Sequence, residues 1–196
     1  SHICAPFEIP KDWPRYMAMD PGVNIFAGLW IAVAPNGKTY AYREMYEHAK
    51  TCEHIADFVY GVEGWKPNPH YDPSLTDSYH GKWAFDNQRT EQIAHRWIDP
   101  AEFGHNPGGG WKVGNLLADR YDLHCAPADN GVEVGIEAVK LALSIGFDGE
   151  PRYQVFSTCV NYIKEIGTYR RKTPDTFGRE RDEKRSKPVK LSLIPL

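Results

Sequence analysis

The chain has 196 residues, of which 41% are hydrophobic and 25% charged, and a net charge of −3 at neutral pH. That length suits one domain with a sizeable core. No apolar run is long enough to cross a bilayer as a helix, and no charged, apolar and small-residue series opens the chain as a secretory signal would.

In chain order, residues 1–15 form a lead-in. Residues 16–20 (Tyr-Met-Ala-Met-Asp) predict a short buried strand, broken by Pro21-Gly22. Residues 25–34 and 39–47 predict two more strands joined by the turn Pro35-Asn36-Gly37-Lys38, giving a three-stranded antiparallel start. Thr51 can cap a helix with Ile55, Phe58 and Val59 on its apolar side. Residues 61–90, rich in Gly, Pro, Tyr, His and Asp, lack periodicity and predict a long insertion. Strand character returns from Ile93 to Asp99 and stops at Pro100. Gly108-Gly109-Gly110 lead into a helix at about 111–121, followed by a short strand from Leu123 to Ala126. Asn130 and Glu133 have the spacing of a capping box for a helix lined by Val132, Ile136, Val139 and Leu143, with Gly146 as its C-cap. A strand at 152–157 and a helix at 159–169, with Val160, Ile163 and Ile166 inward, complete a domain spanning 16–170. Residues 171–196 form a basic tail. Three strands followed by alternating helices and strands predict an α/β domain: a mixed sheet, antiparallel in its first three strands and parallel thereafter, flanked by helices. A ribonuclease-H-like fold has this pattern, as do other α/β folds.

The net charge does not suggest a nucleic-acid binder, but its distribution is uneven. From Arg170 to Lys190, nine Lys/Arg stand against four acids, a local charge of about +5 that leaves about −8 elsewhere. Such a tail beside an acidic body suits a phosphate-binding patch next to a cation pocket, or a solvated tail. Cys4, Cys52, Cys125 and Cys159 are scattered with no C-x-x-C pair, which argues against a zinc ribbon and for free, mostly buried thiols in a reducing compartment. His48, Cys52 and His54 are read as helical surface residues rather than a metal cluster. No P-loop, nucleophile elbow or H-E-x-x-H helix is present; Lys112 after the glycine run is followed by Val113.

Two strands end alike: Ala18-Met19-Asp20-Pro21 and Trp97-Ile98-Asp99-Pro100. Proline cannot continue a ladder and holds the residue before it extended, so each aspartate is fixed at a strand terminus. If the two strands are parallel neighbours, the carboxylates converge, as a two-metal phosphodiesterase site requires. Asp-Pro is also a common turn opening. Glu44, near the end of the third strand, is a further candidate acid; a surface or helix-capping role is the alternative. The tryptophans and tyrosines offer base-stacking surfaces or packing.

The chain resembles the nuclease domain of the large terminase subunit of tailed bacteriophages over nearly all of residues 13–190. The resemblance lies in "YMAMDPG" at 16–22, "YAYREMYEHAKTCEHIA" at 40–56, "RWIDPAEFG" at 96–104, "APADNGVEVGIEAVKLAL" at 126–143 and "FSTCVNYIKEIGTYRRK" at 156–172. It implies a ribonuclease-H/integrase-like fold and Mg²⁺- or Mn²⁺-dependent endonucleolytic cutting of concatemeric double-stranded viral DNA during genome packaging in the host cytoplasm. Asp20 matches the family's first-strand aspartate and Asp99 the acid ending its fourth strand; both would be catalytic metal ligands. Arg170, Arg171, Lys172, Arg179, Arg181, Lys184 and Arg185 would hold DNA phosphates. The implied partners are an N-terminal packaging ATPase, the portal and the small terminase subunit, with no membrane. No Walker motif is present, so an isolated nuclease domain is expected. The family continues past a "KPVK"-like stretch (187–190 here) with Asp-His and another aspartate. Here Leu191-Ser192-Leu193-Ile194-Pro195-Leu196 follows. The third ligand is then missing, or is Asp182, Glu183 or Glu44; a truncation or shifted frame would also give this end. A junction-resolving nuclease of similar fold and a non-catalytic DNA-binding or packaging module are the alternatives.

Overall fold

The structure, a computed structural model, describes residues 1–168 apart from 23, 49, 75–78 and 130. Its centre is a seven-stranded sheet. The strands are β1 (Ile3–Cys4), β2 (Arg15–Pro21), β3 (Ile25–Val33), β4 (Thr39–His48), β7 (Ile93–Ile98), β8 (Ala126–Pro127) and β9 (Tyr153–Phe156). Their spatial order is β1-β9-β4-β3-β2-β7-β8. β2, β3 and β4 are antiparallel, β7 and β8 continue in parallel beyond β2, and β9 and β1 continue in parallel beyond β4. The expected mixed sheet is therefore present. The helices are α1 (Cys52–Val62), α2 (Val113–Tyr121), α3 (Val132–Ala142) and α4 (Val160–Thr168).

Period-two alternation in β2 to β4 sorts side chains onto two buried faces. Met17, Met19, Trp30, Arg43, Met45 and Ile98 share one face through their cross-strand pairs. Gly28 sits between two of them: a Cβ there would come within 3.0 Å of Met45 Cε and 3.1 Å of Met17 Cε. α1 covers this face. Thr51 caps it as expected, its hydroxyl accepting from the His54 N–H, and Ile55, Ala56 and Val59 are buried.

At the end of α1 lies Glu63, fully buried. Its carboxylate accepts from Trp30 Nε1 at 3.0 Å on β3 and from the Arg96 guanidinium on β7. Burial pushes its pKa up, against the pull of Arg96 and the indole N–H. One carboxylate thus ties α1 to two strands. The chain returns beside it, with Glu91 N–H donating to Glu63 O and the Glu91 carboxylate accepting from Arg43 and Tyr42.

The region 61–90 is not structureless. β5 (Lys66–Pro67) and β6 (Trp83–Ala84) pair antiparallel, and Tyr60, Trp65, Tyr79, Trp83 and Tyr121 pack into a satellite cluster against α1 and α2. Asp57 anchors it by accepting from Tyr79 Oη and from Lys82 Nζ at 2.7 Å. The segment 1–15 supplies β1, and Arg15 holds the rest of it: its buried guanidinium donates to the carbonyls of Ile9, Pro10 and Lys11.

Three local expectations need correction. α3 has Gly131 at its N-cap and Leu143 at its C-cap; Gly146 instead turns the chain toward β9, its N–H bonded to Glu150 O. Asn130 and the side chains of Val132, Glu133 and Ile136 lie outside the described residues. The strand expected at 123–126 is reduced to Ala126–Pro127. On α4, Val160 is 60% exposed, while Tyr162 turns inward and its hydroxyl accepts from the Tyr153 hydroxyl in a buried pair.

Two outcomes follow from this packing. Glu63→Ala leaves Arg96 and the Trp30 N–H without their acceptor and should cost about 3 kcal/mol in urea unfolding, the low end for a broken buried pair because Arg96 keeps some exposure. All four cysteines are free thiols, but only Cys159 is buried, the other three being half-buried, and burial pushes the Cys159 thiol up to about 12. Cys159 should therefore resist iodoacetamide at pH 8 in the folded protein and react once unfolded, read by peptide mass spectrometry.

Candidate metal and catalytic site

β2 and β7 run parallel with Ala18 beside Trp97 and Met19 beside Ile98. Continuing that register by one residue sets Asp20 beside Asp99. Both stand on the face opposite Met19 and Ile98, on strands about 4.8 Å apart. The sequence condition for convergence, parallel neighbouring strands, is met.

Each aspartate is held by the turn that follows it. After Asp20, Gly22 N–H bonds back to Asp20 O at 3.0 Å, and a Cβ on Gly22 would stand 2.7 Å from Ile25 O, so the tight return into β3 requires glycine. Asp99 is buried, 7% exposed, and caps the short 3-10 turn Pro100–Glu102. Its Oδ1 accepts from Ala101 N–H at 2.9 Å, which fixes the carboxylate rotamer, and Pro100 occupies the first helical position, where no N–H is needed.

α4 packs on the same face as the two aspartates. Glu44, opposite Leu29 in β3, reaches its first turn. The Glu44 carboxylate accepts from Asn161 N–H and Nδ2 at 3.0 Å each and from Tyr162 N–H at 2.8 Å. A carboxylate at the positive end of a helix is a strong cap, and the geometry places Glu44 in that role. Two residues on, Tyr46 shares the cross-strand row of Ala27 and Asp20 and donates to Glu165 Oε1 on α4 at 2.7 Å. Burial, then the Glu165 carboxylate, push the Tyr46 hydroxyl up to about 12, so it remains a donor at neutral pH. Sequence reading passed over Glu165, because its role depends on a contact with Tyr46 more than a hundred residues away in the chain.

Hard carboxylate oxygens are the donors a divalent cation such as Mg²⁺ or Mn²⁺ takes. Asp20 and Asp99 fit that chemistry as two ligands. Among the described residues, no group of three or more His, Cys, Asp and Glu side chains is gathered closely enough to hold a metal ion. His54 instead bonds Glu47 across the β4–α1 junction. Asp182, Glu183 and the basic residues Arg170, Arg171, Lys172, Arg179, Arg181, Lys184 and Arg185 lie outside the described residues. No described helix is long and apolar enough to cross a membrane.

No protein-family profile matches the sequence, and no curated protein matches it either. Solved structures do. The large terminase nuclease domain of P22 is similar with a TM-score of 0.52 and 19% identity, over 86% of this chain and 74% of that one. The large terminase nuclease domain of bacteriophage SPP1, determined with bound Mn, is similar with a TM-score of 0.51 and 16% identity, over 90% of this chain and 83% of that one. The chain therefore has the ribonuclease-H-like fold of the phage large-terminase nuclease domains.

The cap assignment separates Glu44 from the aspartates. Glu44→Ala should destabilise the protein by about 1–2 kcal/mol through loss of the α4 cap, measured by chemical denaturation, without changing the affinity for Mn²⁺ read by calorimetry.

Proposed function

We propose that this protein is a metal-dependent DNA endonuclease that cuts concatemeric double-stranded viral DNA during genome packaging. The observation that supports the reading is the parallel register of β2 against β7, which ends with Met19 beside Ile98, one residue before Asp20 and Asp99. The fold shared with two large-terminase nuclease domains supports it, as does the Mn bound by the SPP1 domain.

Asp20 and Asp99 would hold the cation, Mg²⁺ or Mn²⁺. When bound, it supplies an activated water and stabilises the leaving oxygen in phosphodiester hydrolysis. The protein's own part is positioning. Pro21 and Pro100 end the two strands at the carboxylates, the Ala101 N–H orients Asp99, and α4 backs the face through Glu44 and Tyr46. A third carboxylate would come from the region of Asp182 and Glu183. The basic residues from Arg170 to Arg185 would neutralise DNA phosphates. The packaging ATPase, portal and small terminase subunit are the proposed partners of the larger machine.

The direct test is supercoiled plasmid cleavage with Mn²⁺ or Mg²⁺. Cleavage should vanish in EDTA and fall at least a hundredfold in Asp20→Ala and in Asp99→Ala, with unfolding midpoints near that of the parent protein. Undiminished cutting by Asp20→Ala would overturn the site. Salt-sensitive DNA binding without cleavage at any metal concentration would instead favour a non-catalytic DNA-binding module, and a preference for branched over linear duplex a junction-resolving nuclease.

A further inference from the structure

We propose that the loop leaving Asp99 carries a base-stacking element for duplex DNA, formed by His105 and Trp111. The inference rests on the nuclease reading above and adds how that site would grip its substrate.

The two rings lie with centroids 3.9 Å apart and planes inclined by 32°. Trp111 is nonetheless 43% exposed, and His105 is exposed too. A single exposed indole is common on a protein surface; what sets this one apart is how it is mounted. Here it is not a loose side chain on a loose loop. His105 and Trp111 form an antiparallel bridge. Between them Asn106 N–H bonds to Gly110 O at 2.9 Å, Gly109 N–H to Asn106 O at 2.9 Å, and Asn106 Nδ2 to Trp111 O at 3.3 Å. The tip closes only because Gly109 and Gly110 take φ of 91° and 82°. It also stands clear of the body: a Cβ on Gly104, Gly108, Gly109 or Gly110 would meet nothing within 4 Å.

The mount of this tip is the turn that carries Asp99. Lys112 N–H bonds to Gly104 O at 3.0 Å, and Gly104 N–H to Asn115 Oδ1 at 2.6 Å. Lys112 Nζ bonds to Ala101 O at 2.7 Å, and Ala101 is the residue whose N–H orients Asp99. Aromatic tip and carboxylate thus belong to one hydrogen-bonded unit. No acidic residue occurs from Phe103 to Ala118, so the loop itself puts no negative charge in the way of a phosphate backbone. In a duplex the faces of a base are stacked on its neighbours, so a rigidly held aromatic ring on the loop that leaves Asp99 would act as a wedge that opens a base step and stacks on the exposed face. The occupant is a base step of the DNA whose phosphate lies at Asp20 and Asp99.

The test uses the full chain and a duplex carrying 2-aminopurine, titrated in EDTA so that binding is read without cleavage. The parent protein should bind and change the 2-aminopurine emission. Trp111→Ala should weaken binding about tenfold and lose the emission change, while Trp111→Phe keeps most of both. In Mn²⁺ the same alanine variant should raise KM more than it lowers kcat. Equal affinity and an equal emission change in Trp111→Ala would overturn the proposal, as would no duplex binding by the parent protein. The two readings fail separately. Trp111-dependent stacking in a protein that never cleaves would sink the nuclease and leave this element standing. Cleavage indifferent to Trp111 would do the reverse.

Discussion

The parallel pairing of β2 with β7 is the constraint on which the site depends. Side chains alternate along each strand, so a slip of one residue would turn Asp99 to the face that carries Ile98 and leave Asp20 alone. What opposes that slip is the buried Glu63. It accepts from Trp30 on β3 and Arg96 on β7 while it terminates α1. Moving β7 by one residue would carry Arg96 to the wrong face and strand a carboxylate that no water reaches. Because the energy of such a pair lies in keeping it intact rather than in forming it, Glu63 contributes more to the uniqueness of the register than to net stability.

The two sheet faces divide the work. The α1 face is a conventional core of methionines, Trp30 and Ile98, closed by one buried ion pair. The opposite face is polar near its carboxyl end, where Asp20, Asp99, Glu44, Tyr46 and Glu165 are disposed around α4. Glu44 shows how such a face avoids gathering like charges to no purpose: its carboxylate is committed to helix N–H groups.

The parts legible in the sequence are those whose cause is local. Asp20-Pro21 and Asp99-Pro100 announced strand ends because proline acts on its immediate neighbour, and the hairpin of β3 and β4 followed from a turn flanked by β-formers. Thr51 was readable as a cap for the same reason. What escaped was tertiary. β1 is two residues long and exists only because β9, far along the chain, offers an edge. Glu63 looks like a surface acid at a helix end until Trp30 and Arg96 are seen around it. Val160 fits the helical period as well as Tyr162 does, and only the buried Tyr153 hydroxyl decides between them. The site divides the same way: the two aspartates were visible from their prolines, whereas the cap role of Glu44 depends on a helix that starts more than a hundred residues later.

The β2–β7 ladder also contains an irregularity: Arg15 pairs with Ile93 but Tyr16 with His95, so Ala94 is an extra residue in β7. A bulge of this kind divides a strand into two segments that need not agree in phase. Before Ala94, chain length can vary and the sheet can absorb the change at the irregularity. After it, from His95 to Asp99, no such slack exists, and a single inserted or deleted codon would rotate the carboxylate through the sheet. The bulge therefore acts as a mechanical fuse, isolating the phase that sets Asp99 from the point where the connection from the aromatic insertion enters the strand.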